Sequence, residues 1–271
     1  MLRSLRDLER YKVSAVDGEV GSVVDFLWDD EQWTIRYLVV ETGGFLIEHP
    51  VLIVPRGILG VDWSTQRIDL DLTMEKVEKS PDVDTHKSVS RHQEAALFKH
   101  YGYPHYWDYA DVGGAEVLSA LDMSDARPVD PGPPLAEDVH LHSANDVRGY
   151  DIQARDDSIG EVEDFIVDDA EWTIRYFVID TKKWWFGKKV LVAPQWTSRI
   201  SWEEQNVHID LLRQTIKDGP EWDSSLGVSR AYEKELHEYF NRPAYWDADE
   251  HGEPFTRYSE RRSQPSTGNF R

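Results

Sequence analysis

The octapeptide at Trp33, Trp-Thr-Ile-Arg-Tyr-Leu-Val-Val, returns at Trp172 as Trp-Thr-Ile-Arg-Tyr-Phe-Val-Ile, 139 positions later (172 − 33). Five successive identities that include Trp, Arg and Tyr make the chain a tandem repeat, and every other motif has to be read against that repeat. The shift holds without a gap. Upstream, Ser4 matches Ser143, Gly21 matches Gly160, and Asp25-Phe26 matches Asp164-Phe165. Downstream, Pro55 matches Pro194, Trp63 matches Trp202, Ser90-Arg91 matches Ser229-Arg230, and Tyr106-Trp107-Asp108 matches Tyr245-Trp246-Asp247. Each copy is about 100 residues, the size of a globular domain rather than of a solenoid repeat.

The residues divide into a first unit over 1–108, a linker over 109–142, a second unit over 143–247 and a polar tail over 248–271. The linker carries Gly113-Gly114 and Asp130-Pro131-Gly132-Pro133-Pro134, which favour a semi-extended, only partly ordered segment. Within the first unit, alternation and turn residues predict strands over 11–15, 20–28, 33–42, 51–54, 57–63 and 67–72. The run from Trp33 is apolar on both faces, as in a sheet covered on both sides. Six short strands in so little chain predict a small closed or nearly closed barrel. Ser90 is placed to cap a helix from Arg91 to His100, with Gln93 completing a capping box and Gly102 ending it. Ser229 and Asn241 take those roles in the second copy. The aromatic clasp Pro104-His105-Tyr106-Trp107 follows, expected to dock back on the barrel. The expected fold is therefore mainly β: two tandem small β-barrels, each followed by a short helical extension.

The repeated pattern carries a resemblance. Asp17-Gly18-Glu19-Val20-Gly21-Ser22-Val23-Val24-Asp25-Phe26 followed by the run from Trp33 to Glu41, and its counterpart from Asp157, resemble the PRC-barrel family. That family includes the cytoplasmic domain of the photosynthetic reaction-centre H subunit and stand-alone bacterial proteins. The resemblance covers roughly residues 4–80 and 143–220. It implies small β-barrels that work chiefly by docking onto other proteins.

Composition narrows the choice of partner. Fifty-one acidic against thirty basic residues give a formal charge of −21. A field of that sign repels nucleic acid and anionic lipid. Without cysteine there is no thiol chemistry and no disulfide framework. Residues 1–7 lack the apolar stretch of an export signal, and no run reaches membrane-spanning length, so a soluble cytoplasmic protein is expected.

A functional site built into the repeated unit should appear in both copies. The histidines fail that criterion: His49 faces Lys188, His92 faces Ala231, His100 faces Tyr239, His105 faces Ala244, and His208 faces Asp69, while His140 and His142 fall in the linker. All are expected at solvated surface. The carboxylates Asp29, Asp30, Asp168 and Asp169 do recur, as turn formers and as candidate hard-oxygen ligands for a divalent cation. Arg36 and Arg175 each interrupt an apolar strand. A guanidinium there needs a carboxylate, and Asp25 and Asp164 on the adjacent strand are the expected partners. The loops 43–50 and 182–189 keep an apolar character in both copies, through Phe45, Leu46 and Ile47 and through Trp184, Trp185 and Phe186. Exposed aromatics of that kind make binding hot spots.

No phosphate loop, nucleophile elbow or His-Glu-x-x-His run is present. The expectation is a non-catalytic interaction or scaffold protein that needs no cofactor, binds another protein through those loops, and packs its two repeats as an intramolecular pseudo-dimer. The alternatives are a metal-ion or small-ligand binder using the duplicated carboxylate–arginine set, and an accessory role like that of the H subunit.

Overall fold

The computed structural model describes residues 1–43, 50–83, 89–109, 141–181 and 188–247. The first repeat runs β1 (Leu2–Ser4), α1 (Leu5–Leu8), β2 (Lys12–Ala15), β3 (Gly18–Asp29), β4 (Thr34–Thr42), β5 (Val51–Ile53), β6 (Ile58–Asp62), β7 (Arg67–Leu70), α2 (Met74–Glu78) and α3 (Arg91–Tyr101). The second runs β8 (Leu141–Ser143), α4 (Ala144–Val147), β9 (Asp151–Gln153), β10 (Ser158–Asp168), β11 (Thr173–Asp180), β12 (Lys189–Val192), β13 (Thr197–Ser201), β14 (Asn206–Ile209), α5 (Arg213–Asp218) and α6 (Arg230–Phe240). The 139-residue shift carries each element of the first list onto its counterpart in the second, within a residue at the ends.

The repeats are contiguous in sequence, but the compact units are not. One unit consists of Asp7–Trp28 and Ile35–Ser143; the other of Met1–Arg6, Asp29–Thr34 and Ala144–Arg271. The strand heading each repeat pairs inside the unit that holds most of the other repeat. β1 lies antiparallel to β10, with Leu2 opposite Asp168 and Ser4 opposite Ile166. β8 pairs with β3. The tip between β3 and β4 also belongs to the second unit: the Trp33 indole meets Phe177 edge-on at 5.5 Å, and the Ile174 amide donates to the Trp33 carbonyl at 2.7 Å.

In the first unit the strand order is β6-β7-β2-β3-β4-β5, and in the second β13-β14-β9-β10-β11-β12. The sheets are mixed, because β7 runs parallel to β2 and β14 parallel to β9 while the neighbouring pairs are antiparallel. No described pairing joins the first strand of either order to the last, so neither sheet closes into the ring that strand count suggested. Pro55 and Pro194 show why. Each opens a 3-10 turn between the two end strands, and a residue with no N–H cannot extend a ladder.

The cores lie where alternation placed them. Phe26, Tyr37, Leu38, Leu52 and Ile53 in the first unit, and Phe165, Tyr176, Phe177 and Leu191 in the second, are all under 2% exposed. Burying each contributes about 1.5–3 kcal/mol. The Trp33 strand is covered on both faces as read: Leu38, Val39 and Val40 are all buried. Helix α3 opens on a full capping box between Ser90 and Gln93 and ends at a left-handed Gly102. Ser229 caps α6, which ends at a left-handed Asn241.

The repeated glycine on the long strand has a steric cause. A Cβ on Gly21 would stand 1.9 Å from the Glu41 carbonyl oxygen, and one on Gly160 2.2 Å from that of Asp180, with Gly160 also at φ +152°. Gly160→Ala is expected to destabilise the second unit by about 1–3 kcal/mol or more, read as a lower urea midpoint with tryptophan fluorescence as the probe. Deleting residues 1–6 should loosen β10, although those residues head the other repeat. Faster amide exchange at 166–168 in the truncated chain, with β3 unchanged, is the expected outcome.

Candidate functional site

A polar cluster of the first unit is buried between sheet and helix. Tyr37 points inward from the middle of β4, and Glu94 points down from the first turn of α3; both are 0% exposed. The Tyr37 hydroxyl donates to Glu94 Oε1 at 3.0 Å, and the Tyr106 hydroxyl of the clasp donates to the same oxygen at 2.9 Å. Arg91, one helical turn back, meets Oε2 at 3.3 Å and the Tyr106 oxygen at 2.5 Å. Arg36 lies over the face of Tyr106, 3.8 Å from the ring centre, and Arg91 lies 4.9 Å from that of Trp107. A carboxylate taken out of water is tolerated only when its oxygens are met, and here three donors meet them. Burial, with Glu94 beside it, pushes the Tyr37 phenol well above its ordinary range. Tyr37 is therefore a fixed donor.

The second unit repeats the arrangement. The Tyr176 and Tyr245 hydroxyls each lie 3.0 Å from Glu233 Oε1, and Arg230 meets Oε2 at 3.2 Å. Arg175 lies 4.0 Å over Tyr245, and Arg230 lies 4.0 Å over Trp246. One residue is added. His237 stands where the first unit has Phe98, with Nε2 3.0 Å from the Tyr176 oxygen. Burial raises Glu233, against the hydrogen bond from Tyr176 and the charge of Arg230, and lowers His237. Tyr245 is pushed up to about 12. In each unit the cluster fastens helix and clasp to the sheet through one carboxylate.

The sequence held the signal for this site, since Tyr37, Arg91, Glu94 and Tyr106 all recur at the 139-residue shift. The cap and the clasp were recognised as separate features. What joins them is a tyrosine 57 residues from its carboxylate, a separation that no local pattern spans. His237 was passed over, and two other histidines are not the solvated groups expected. His142 lies on β8 with its ring 5.6 Å from that of Trp28, and His100 Nε2 lies 2.7 Å from the Lys76 carbonyl.

The expected Asp164–Arg175 pair does not form. Asp164 meets Arg148 at 3.3 Å, the Ser4 hydroxyl at 2.5 Å and the Arg6 amide at 3.2 Å. Arg175 meets Glu171, and Asp168 at 3.8 Å. Register is the reason: Asp164 sits opposite Val178, three residues from Arg175, about 10 Å along a strand. In the first unit Asp25 accepts from the Ser143 hydroxyl at 2.5 Å and from the Phe26 amide at 2.7 Å, while Arg36 covers Tyr106. Burial pushes the Asp164 carboxyl above its usual range even with Arg148 beside it.

The turn carboxylates have local partners. Asp29, 2% exposed, accepts from the Glu31 and Gln32 amides at 2.8 and 3.1 Å. Asp168 accepts from the Ala170 amide at 3.1 Å, and Asp169 meets Arg3 at 3.4 Å. Asp30 lies beside Asp29 in the same turn. Among the described residues no group of three or more His, Asp or Glu side chains is disposed to hold a metal ion. Phe45, Leu46, Ile47, Trp184, Trp185 and Phe186 lie outside the described residues.

A mainly β chain with mixed, unclosed sheets, each carrying a helix held through a buried tyrosine–glutamate contact, is the class that the geometry defines. Residues 140–214 match the PRC-barrel domain, a span from the head of β8 to the start of α5. Helix α6 and the clasp, and with them Glu233 and Tyr245, lie beyond that span. No curated protein matches the chain. Among the described residues no helix is long and apolar enough to cross a membrane.

Two substitutions separate the observed pairing from the expected one. Asp164→Ala removes a buried acceptor shared by Arg148, the Ser4 hydroxyl and the Arg6 amide and should cost about 3–5 kcal/mol. Arg175→Met gives up a partly exposed pair and a ring contact, about 1 kcal/mol. Chemical denaturation should rank them in that order; equal shifts would contradict the assignment.

Proposed function

We propose that the chain is a non-catalytic interaction or scaffold protein, built from two PRC-barrel-like modules, that docks onto another protein. The match over 140–214 supports the second module. The gapless repeat, with the same elements in the same order, supports reading the first half as another copy. One observation carries the interaction reading. In each unit the carboxyl group nearest the other polar side chains is buried in the helix–sheet junction, Glu94 at 0% and Glu233 at 2% exposure, which favours a structural role for it.

Apolar side chains, by contrast, stand open on the first unit. Val16 and Leu59 are 62% and 64% exposed and line an open groove of about 470 Å³ with Ala15, Gly60 and Leu70. Leu59 lies on β6, at the end of its sheet order, and an edge strand is a place where a partner strand adds. The loops 43–50 and 182–189 are proposed as further docking rims on their sequence alone. The net charge of −21 directs the choice toward a basic or apolar protein surface rather than a polyanion.

Affinity capture with mass spectrometry tests the reading, using the wild-type chain, Leu59→Ser and the double variant Trp184→Ser/Trp185→Ser side by side. The expected result is a protein recovered by the wild type and depleted at least tenfold by one of the variants. Recovery that is the same for all three would overturn the proposed surfaces.

A further inference from the structure

The second unit's cluster holds one more hydrogen-bonding group than the first unit's, and its protons do not balance. His237 Nδ1 lies 3.1 Å from the Pro243 carbonyl oxygen. A carbonyl only accepts, so Nδ1 carries the ring proton, and in neutral imidazole Nε2 is then a bare acceptor. Nε2 faces the Tyr176 hydroxyl at 3.0 Å, and that hydroxyl also faces Glu233 Oε1 at 3.0 Å. One phenolic proton cannot serve two acceptors. With Glu233 ionised and His237 neutral, one contact sets lone pair against lone pair in a buried site. One added proton resolves it: a protonated Glu233 donates to the Tyr176 oxygen, and Tyr176 donates to Nε2. In the first unit Phe98 occupies the histidine's place, its ring 6.3 Å from that of Tyr37. Tyr37 donates to Glu94, and no conflict arises.

We propose that Glu233, Tyr176 and His237 form a one-proton switch that makes the seating of α6 on β11 depend on pH, loaded in the folded state and strained when the proton leaves. Three of the elements packed there contribute charged or titratable groups: Arg230 and Glu233 from α6, Arg175 and Tyr176 from β11, Tyr245 and Asp247 from the clasp. The Trp196 and Trp246 rings close the remaining sides of His237, each at 5.2 Å. Arg230 and Arg175 favour an ionised Glu233, and Asp247 favours a charged His237. Burial is the largest influence on both, raising Glu233 and lowering His237, which seats the proton on Glu233.

The sign follows from proton counting. The unfolded glutamate and histidine, with ordinary values of 4.5 and 6.5, hold two protons between them below the lower value, one between the two, and none above the upper. The loaded cluster holds one throughout. Between those values the switch's contribution to stability is therefore constant with pH. Above the upper one it declines as pH rises, by at most about tenfold in the folding constant per pH unit, until the switch empties.

Hydrogen exchange of the α6 amides, expressed as protection factors against those of α3, reads this directly between about pH 6 and 9. The expected result is a ratio that falls with rising pH in the wild type. It should be flat in His237→Phe, which recreates the first unit's chemistry, and in Glu233→Gln, whose amide donates permanently to Tyr176. A wild-type ratio that is flat or rising above the histidine's ordinary value, or a slope that survives His237→Phe, would overturn the switch. If the variants do not fold, infrared spectroscopy of the wild type decides. A protonated-carboxyl band present at pH 7 and bleached on alkaline titration is expected; its absence at pH 7 overturns the proposal.

Discussion

A carboxyl group taken wholly out of water is the constraint around which each unit is arranged. Glu94 and Glu233 give up hydration that only well-placed donors replace, and the donors come from three separate parts of the chain. The strand must turn a tyrosine inward, the helix must place an arginine one turn before the glutamate, and the clasp must return with a second tyrosine. None of these alone compensates the burial. Together they leave the helix one position on the sheet, because a slide of one turn would strip the carboxylate of both phenols. The aromatic stacking is secondary to this. Arg36 and Arg175 lie over phenol rings that the carboxylate has already positioned, each contact contributing about 1 kcal/mol.

The backbone imposes a second constraint of the same severity. The long strands β3 and β10 pass so close to β4 and β11 that Gly21 and Gly160 leave no room for a Cβ. Along their other edges, successive strands take turns. β10 carries β9 at its start and β1 at its end, with Glu161 opposite Asp151 and Ile166 opposite Ser4. The segment supplying that last partner is the head of the other repeat. A boundary drawn through the linker therefore does not follow the compact units, each of which takes in the head of the other repeat.

Local features were the legible ones. Alternation located the strands because burial on one face leaves a period of two in the sequence. Ser90, Gln93 and Gly102 marked the ends of α3 because cap geometry accepts few residue types. Partner choice was not legible. Asp164 was assigned to Arg175 by adjacency of strands, but register set them three residues apart, and Arg148, outside both strands, took the carboxylate. The exchange of β1 and β8 left no trace, since a short strand reads the same whichever edge it joins. The shared tyrosine, glutamate and arginine positions recur at the 139-residue shift without any local pattern joining them, and a criterion that asks for two copies passes over His237, which matters for what its counterpart Phe98 lacks.

The exchange of Phe98 for His237 at equivalent positions gives two sites with similar scaffolds and different proton appetites. The surrounding charge strengthens the difference. An excess of twenty-one negative charges sets up a potential that favours any group taking up a proton, most strongly one in a poorly screened interior. Salt of physiological strength damps fields beyond about 8 Å in water, but it does little across a packed helix–sheet junction. The acidic surface and the buried cluster thus act in the same direction: the first repels polyanions and raises the local demand for protons, and the second has one place to put them. Phe98 offers no such place, so the first unit feels the same field without a site to answer it.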